Sequence, residues 1–218
     1  MGDFLRVDGG FMAFLTKVSD VFLISFLWLL CCLPVVTIGA STTAAYYTIV
    51  KVVKRQRGTM LREFFHSFRD NFKDSFVINL IYLLAEAILA FNIYSSFQSL
   101  ETSAASFYFL FFYLVLFLLM IGLSFHTYAA LSRFVMKRFA LVRFAIFATF
   151  RHMLTTLALI VIFVAGIVLM MVFPVGVIVM PGVCLFLYSL LMERVLWKYM
   201  TEEMRQAWKE SDDEDTVN

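Results

Sequence analysis

The forty residues from Met153 to Met192, MLTTLALIVIFVAGIVLMMVFPVGVIVMPGVCLFLYSLLM, contain no Asp, Glu, Lys or Arg. As one helix they would measure about 60 Å, twice the thickness of a hydrocarbon core. They must fold back, which predicts two membrane spans, Leu154 to Val172 and Val175 to Met192. Pro174 with Gly176 is the natural turn, because proline cannot continue a helical hydrogen-bond ladder. Pro181 with Gly182 could instead kink or start the last helix.

Composition extends this to the whole chain. Of 218 residues, 62% are hydrophobic and 16% charged, with a mean hydropathy of +0.87. A soluble domain is about 45–50% apolar and about 25% charged. There is too little polar residue here to cover a globule, which excludes a secreted enzyme, a soluble nucleic-acid binder and a disordered regulator. The fold class expected is an all-α, polytopic transmembrane helical bundle of about six spans with cytoplasmic interfacial amphipathic helices. It forms one integral membrane domain over 1–218, with an N-terminal segment at 1–20, spans and loops at 21–192 and a tail at 193–218. No small-residue cleavage site follows the first apolar run, so that run is expected to stay. Cys31, Cys32 and Cys184 lie in apolar runs without zinc or redox spacing and read as small buried residues.

The first span, Val21 to Val36, ends at Leu33-Pro34-Val35-Val36-Thr37-Ile38-Gly39. Pro34 stops the helix, and Gly39 with Ser41 and Thr42 offers a permissive backbone and N-cap hydroxyls for a new one. That second helix, from about residue 40 through Val53, reaches only about 21 Å. It must be tilted, shielded by neighbours, or thinning the bilayer. Spans at Phe76 to Tyr94 and Ala104 to Leu131 complete six. A rival count makes residues 21–53 one broken span with the N-terminus outside.

Charge gives the orientation. Seven Lys or Arg lie in residues 51–75, five in 133–151, four in 194–209 and two in 1–20. With six spans all four segments share one face, cytoplasmic by the positive-inside rule, with both termini there in a multi-pass cell membrane protein. Two of these segments are amphipathic. Leu61, Phe65, Phe68, Phe72 and Phe76 recur at helical spacing among charged residues, and Phe139, Phe144, Phe147 and Phe150 are interspersed with Lys137, Arg138, Arg143 and Arg151. Both are expected to lie against anionic headgroups, with docking of a partner's cytoplasmic domain on Phe65, Phe68, Phe72, Phe147 and Phe150 as the alternative. A shift of 82 residues sets Phe65, Phe68 and Arg69 on Phe147, Phe150 and Arg151, and Tyr46 on Tyr128. That suggests a parallel repeat, although any two segments of this architecture share such residues.

Ionisable groups inside spans are the candidates for function, because a charge at the bilayer centre costs about 2.5–3.5 kcal/mol on insertion scales. Two qualify. Glu86 lies midway along the third span, and His126 toward the inner half of the fourth, with Asn79, Asn92 and Thr127 as polar company. They could form a proton- or cation-coupled site, or serve packing through interhelical hydrogen bonds. The helix break with Thr37, Gly39, Ser41 and Thr43 is a further binding candidate if it lies at membrane depth, and otherwise a tight extracytoplasmic turn. No zinc-protease, nucleophile-elbow or Walker motif is present, so no catalytic residue, metal or cofactor is assigned.

The run Leu33-Pro34-Val35-Val36-Thr37-Ile38-Gly39, followed by Thr43-Ala44, a basic stretch and then Phe65, Phe68 and Phe72 with Asn71, resembles the YesL family of bacterial integral membrane proteins, DUF624, of unknown function. The resemblance covers about residues 20–80, with Ala40 where many members have Pro. It implies a Gram-positive source and a neighbourhood of sugar ABC importers, hence a part in carbohydrate uptake. It transfers no catalytic residue, and marks Leu33, Pro34, Thr37, Gly39 and Thr43 as structural. The expected function is a non-enzymatic accessory or assembly protein, with a sugar ABC importer permease as partner and no nucleic acid. The alternative is a small transporter or channel using Glu86 and the break at Pro34 to Thr43.

Overall fold

The computed structural model describes residues 4–54, 58–100, 105–134, 136–173, 176–202 and 206, with side chains from Thr16 onward. Among the described residues seven α-helices follow one another: α1 Phe4–Cys32, α2 Ile38–Thr48, α3 Met60–Gln98, α4 Ala105–Leu131, α5 Arg138–Arg151, α6 Met153–Val172 and α7 Gly176–Leu196. A 3₁₀ turn at Val35–Thr37 precedes α2 and a π-helical turn at Ile49–Lys54 follows it. Among the described residues there is no strand, and α3, α4, α6 and α7 are the four helices long and apolar enough to cross a membrane.

Helices α4, α6 and α7 begin and end within a few residues of the expected runs. The turn expected at Pro174 lies outside the described residues. Pro181 neither starts nor ends a helix but sits inside α7. There Ser25 of α1 takes over: the Gly182 N–H donates to Ser25 Oγ at 2.6 Å, and that hydroxyl lies 3.2 Å from the Val179 carbonyl. A Cβ on Gly182 would run into Ser25 Oγ and the Val21 carbonyl, so only glycine lets α1 and α7 approach this closely.

The third helix departs from expectation. The amphipathic segment and the span form one 39-residue rod, about 58 Å long. No Gly or Pro interrupts Met60 to Gln98. The face turned inward is not headed by Phe65, which is exposed, but by Phe64, which is completely buried. The rings of Phe64, Phe68, Phe72 and Phe76 follow at i, i+4 with centroids 6.3, 5.5 and 6.0 Å apart.

Short α2 is shielded by its neighbours, with Gly39 through Tyr46 all buried. The basic segments gather at one end. Glu193, in α7 rather than in a tail, bonds Lys54 at 2.8 Å and Arg133 at 3.5 Å. Lys51 pairs with Glu63 at 3.2 Å and Arg138 with Asp74 at 2.6 Å. Lys17 of α1 shares a surface concavity with Val52, Val53 and Gly58 through Leu61, so α1 begins at this same end.

Candidate functional site: a cavity between two helical arms

The helix break is built by one hydroxyl. Thr37 Oγ1 lies 2.5 Å from the carbonyl of Cys31, an acceptor that the end of α1 leaves open, and 2.6 Å from that of Pro34. Asn79 of α3 donates its amide to the carbonyls of Val36 at 3.0 Å and Val35 at 3.3 Å. Asn79 lies nineteen residues before the end of α3, about 28 Å along that helix. The break therefore sits against the middle of α3 rather than as a turn level with its far end. Gly39 makes this possible, because a Cβ there would come within 2.9 Å of both Asn79 and Tyr128. Thr43 turns its hydroxyl back to the Gly39 carbonyl at 2.8 Å, and Ser41 is completely buried.

Two arms meet around this point. In the first, α3 and α4 are joined by Tyr128 donating to Asn79 Oδ1 at 2.6 Å and by Tyr82 and Thr127 at 2.8 Å. In the second, α6 and α7 pack where Gly166 leaves room for Cys184. The arms touch where Gly122 of α4 faces Thr156 and Ile160, and where Phe125 meets Phe163 edge-on at 5.5 Å. Farther along the first arm, Phe91, Tyr94, Phe107, Tyr108 and Phe111 are exposed.

Between the arms lies a cavity of about 510 Å³, within the size range of small-molecule sites. Glu86 and Asn79 of α3 line it, together with Trp28 of α1, Thr42 of α2, Ser124, Phe125 and Tyr128 of α4, Phe163 of α6 and Tyr188 of α7. Asn79, Leu83 and Glu86 are spaced at i, i+4 and i+7, so one face of α3 presents all three. Most polar side chains of the lining have partners. Trp28 donates to Thr42 at 3.1 Å, Ser124 to the Ile121 carbonyl at 2.8 Å and Tyr188 to the Phe125 carbonyl at 2.6 Å. Glu86 is half-buried, and among the described residues no hydrogen bond or ion pair reaches its carboxylate.

His126 is not in this lining. It is fully buried, with Nε2 3.0 Å from Thr156 Oγ1 and Nδ1 3.2 Å from Met192 Sδ. Thr156 Oγ1 also lies 3.1 Å from the Thr149 carbonyl and 3.2 Å from the His152 carbonyl, and the Met192 thioether has no proton to give. Glu86 and His126 thus do not form one site. Asn92 bonds its own helix at Ile88. Phe147 and Phe150 remain exposed on α5, whereas Phe68 and Phe72 are partly buried along α3. His152 closes α5 and opens α6, and its Nε2 lies 2.9 Å from the Tyr199 hydroxyl. Burial, with the charges of Lys198 and Arg151, holds its pKa below the usual histidine value. No three His, Cys, Asp or Glu side chains gather for a metal among the described residues. Cys31, Cys32 and Cys184 are free and partly buried.

Sequence reasoning finds Glu86 and Asn79 but misses the aromatic lining. Trp28, Tyr128 and Tyr188 carry no local signal in a chain with 26 Phe and 9 Tyr.

Residues 21–93, about a third of the chain, match the family described as Protein of unknown function, DUF624. Over this stretch the chain is similar to DUF624. The matched stretch includes Pro34, Thr37 and Gly39 of the break together with Asn79 and Glu86 of the cavity. Comparison with curated proteins and with solved structures returns no match.

Proposed function

We propose that this chain is a non-enzymatic, multi-pass cell-membrane protein that holds a small ligand between its two helical arms and passes it across the bilayer. The observation that carries this reading is the cavity itself, bounded by four apolar helices, by Trp28 of α1 and by Ile38 and Thr42 of α2, the helix that follows the break. Broken helices beside a site between two packed units are how small transporters place backbone and ionisable groups at membrane depth. In this reading α1 and α2 also cross, giving six passages. The basic end then faces the cytoplasm with both termini, near anionic headgroups, in a bacterial protein of the YesL type.

Access tests it. In a chain whose three native cysteines are replaced by Ser, Glu86→Cys should react with a small water-soluble thiol reagent in sealed vesicles, and the side from which it reacts should change between conformers. A thiol unreactive from both sides would end the transport reading.

A second reading is an accessory or assembly protein of a carbohydrate ABC importer. It draws on the exposed Phe139, Phe147 and Phe150 of α5, which present apolar rings at the basic end. It predicts that an importer permease co-purifies from native membranes in mild detergent and is lost on combined Ala substitution of those three rings. Repeated recovery of the chain alone would remove it.

A further inference from the structure

Resting on the ligand-holding reading above, we infer that the occupant of the cavity is an organic cation with an apolar body, and that Glu86 is its counter-ion. Three observations combine. Among the described residues Glu86 is the one carboxylate in the lining, and no Lys, Arg or His lines the cavity. The other polar groups near it are engaged with each other: Asn79 with Tyr128 and the Val36 carbonyl, Trp28 with Thr42, Tyr188 with the Phe125 carbonyl. They offer little to a ligand rich in hydroxyls, such as a sugar, whose own groups would go unpaired. The remaining lining is apolar and aromatic, with Trp28, Phe117, Phe125 and Phe163 among its rings.

Each feature selects by sign. An unpartnered carboxylate at membrane depth attracts a cation and repels an anion. Ring faces attract cations through their quadrupoles, most strongly where water is excluded. An apolar body is required to fill about 510 Å³ of mostly carbon-lined space. A compact hydrated ion such as sodium meets only part of this, because a single carboxylate cannot replace its oxygen shell.

The test uses two probes of one shape and opposite charge, tetraphenylphosphonium and tetraphenylborate. The full chain is placed in nanodiscs of phosphatidylcholine, and binding is measured by equilibrium dialysis against empty discs. Ile121→Trp, which fills the cavity wall, gives the baseline for partitioning into lipid. Tetraphenylphosphonium should bind saturably, and tetraphenylborate no more than to the filled variant. Glu86→Gln should weaken the cation at least about tenfold and Glu86→Asp should retain it. Thermal unfolding and elution profile establish that each variant is folded. Equal binding of the two ions, or a cation affinity indifferent to Glu86→Gln, overturns the inference and marks the cavity as a pocket for lipid tails. If the cation fails while neutral triphenylmethanol binds saturably and Ile121→Trp abolishes it, the cation is wrong and the ligand-holding reading stands. If no probe binds above the filled variant, both fall.

Discussion

Helix α3 and the α5–α6 pair have the same kind of sequence, an amphipathic stretch with Phe and Arg followed by an apolar span, and they solve it in opposite ways. From Met60 to Gln98 the chain is one rod. From Arg138 to Val172 it bends at His152, whose φ of −117° and ψ of 48° leave the helical region. A shift of 82 residues places the ring ladder Phe64, Phe68, Phe72 and Phe76 on Ile146, Phe150, Leu154 and Ala158, so the second region lacks the continuous ladder of aromatic rings of the first. Instead α5 leans on the C-terminal segment, with Phe144 and Phe147 against Tyr199 at 5.3 and 6.1 Å. The bend also aims the Thr149 and His152 carbonyls at Thr156 beneath His126. The sequence pattern is alike in both regions. What lies alongside decides whether it is a rod or an elbow.

Positions 82 residues apart therefore make matched tests. Phe64 is fully buried and Ile146 is 43% exposed. Phe64→Ala should cost about 3–5 kcal/mol and Ile146→Ala under about 1 kcal/mol, read by chemical or thermal unfolding in one detergent. Similar losses would erase the distinction between rod and elbow. Next, Thr156→Val removes the hydroxyl partner of the buried His126 Nε2, a loss of about 1–3 kcal/mol. Its counterpart Asp74, half-exposed and paired with Arg138, should lose at most about 1 kcal/mol as Asp74→Asn.

The smallest effect is in pH. His152 has a lowered pKa in the folded chain, so below its unfolded value of about 6.5 the unfolded chain binds more protons. Its contribution to stability is full above that value and declines as pH falls toward the lowered folded value. His152→Gln should flatten the acid side of a melting-temperature profile. An unchanged slope would mean that other groups produce it.

Much of the fold is legible because charge-free runs leave few options. Met153 to Met192 must be two helices, and both lie where expected. The continuity of α3 is obscured by Arg62 through Asp74, which mark a change of surroundings. Surroundings do not break a helix, and the signal that mattered was the absence of Gly and Pro from Met60 to Gln98. The elbow at His152 carries neither residue, since it arises from packing on Tyr199 and Thr156. In the cavity Glu86 stands out as a carboxylate in an apolar run. Gly39 is legible as a motif residue, but its cause is the approach of Asn79 and Tyr128, which no local pattern contains.

The contact of Ser25 with Gly182 joins residues 157 positions apart. During synthesis the first helix is made long before its partner leaves the ribosome, so α1 must wait unlatched. Its hydroxyl need not wait unpaired, because the Val21 carbonyl one turn back lies 3.1 Å away. Nearly the whole polypeptide is thus assembled around a seam that only the last helix can close, and a chain stopped before Gly176 leaves it open.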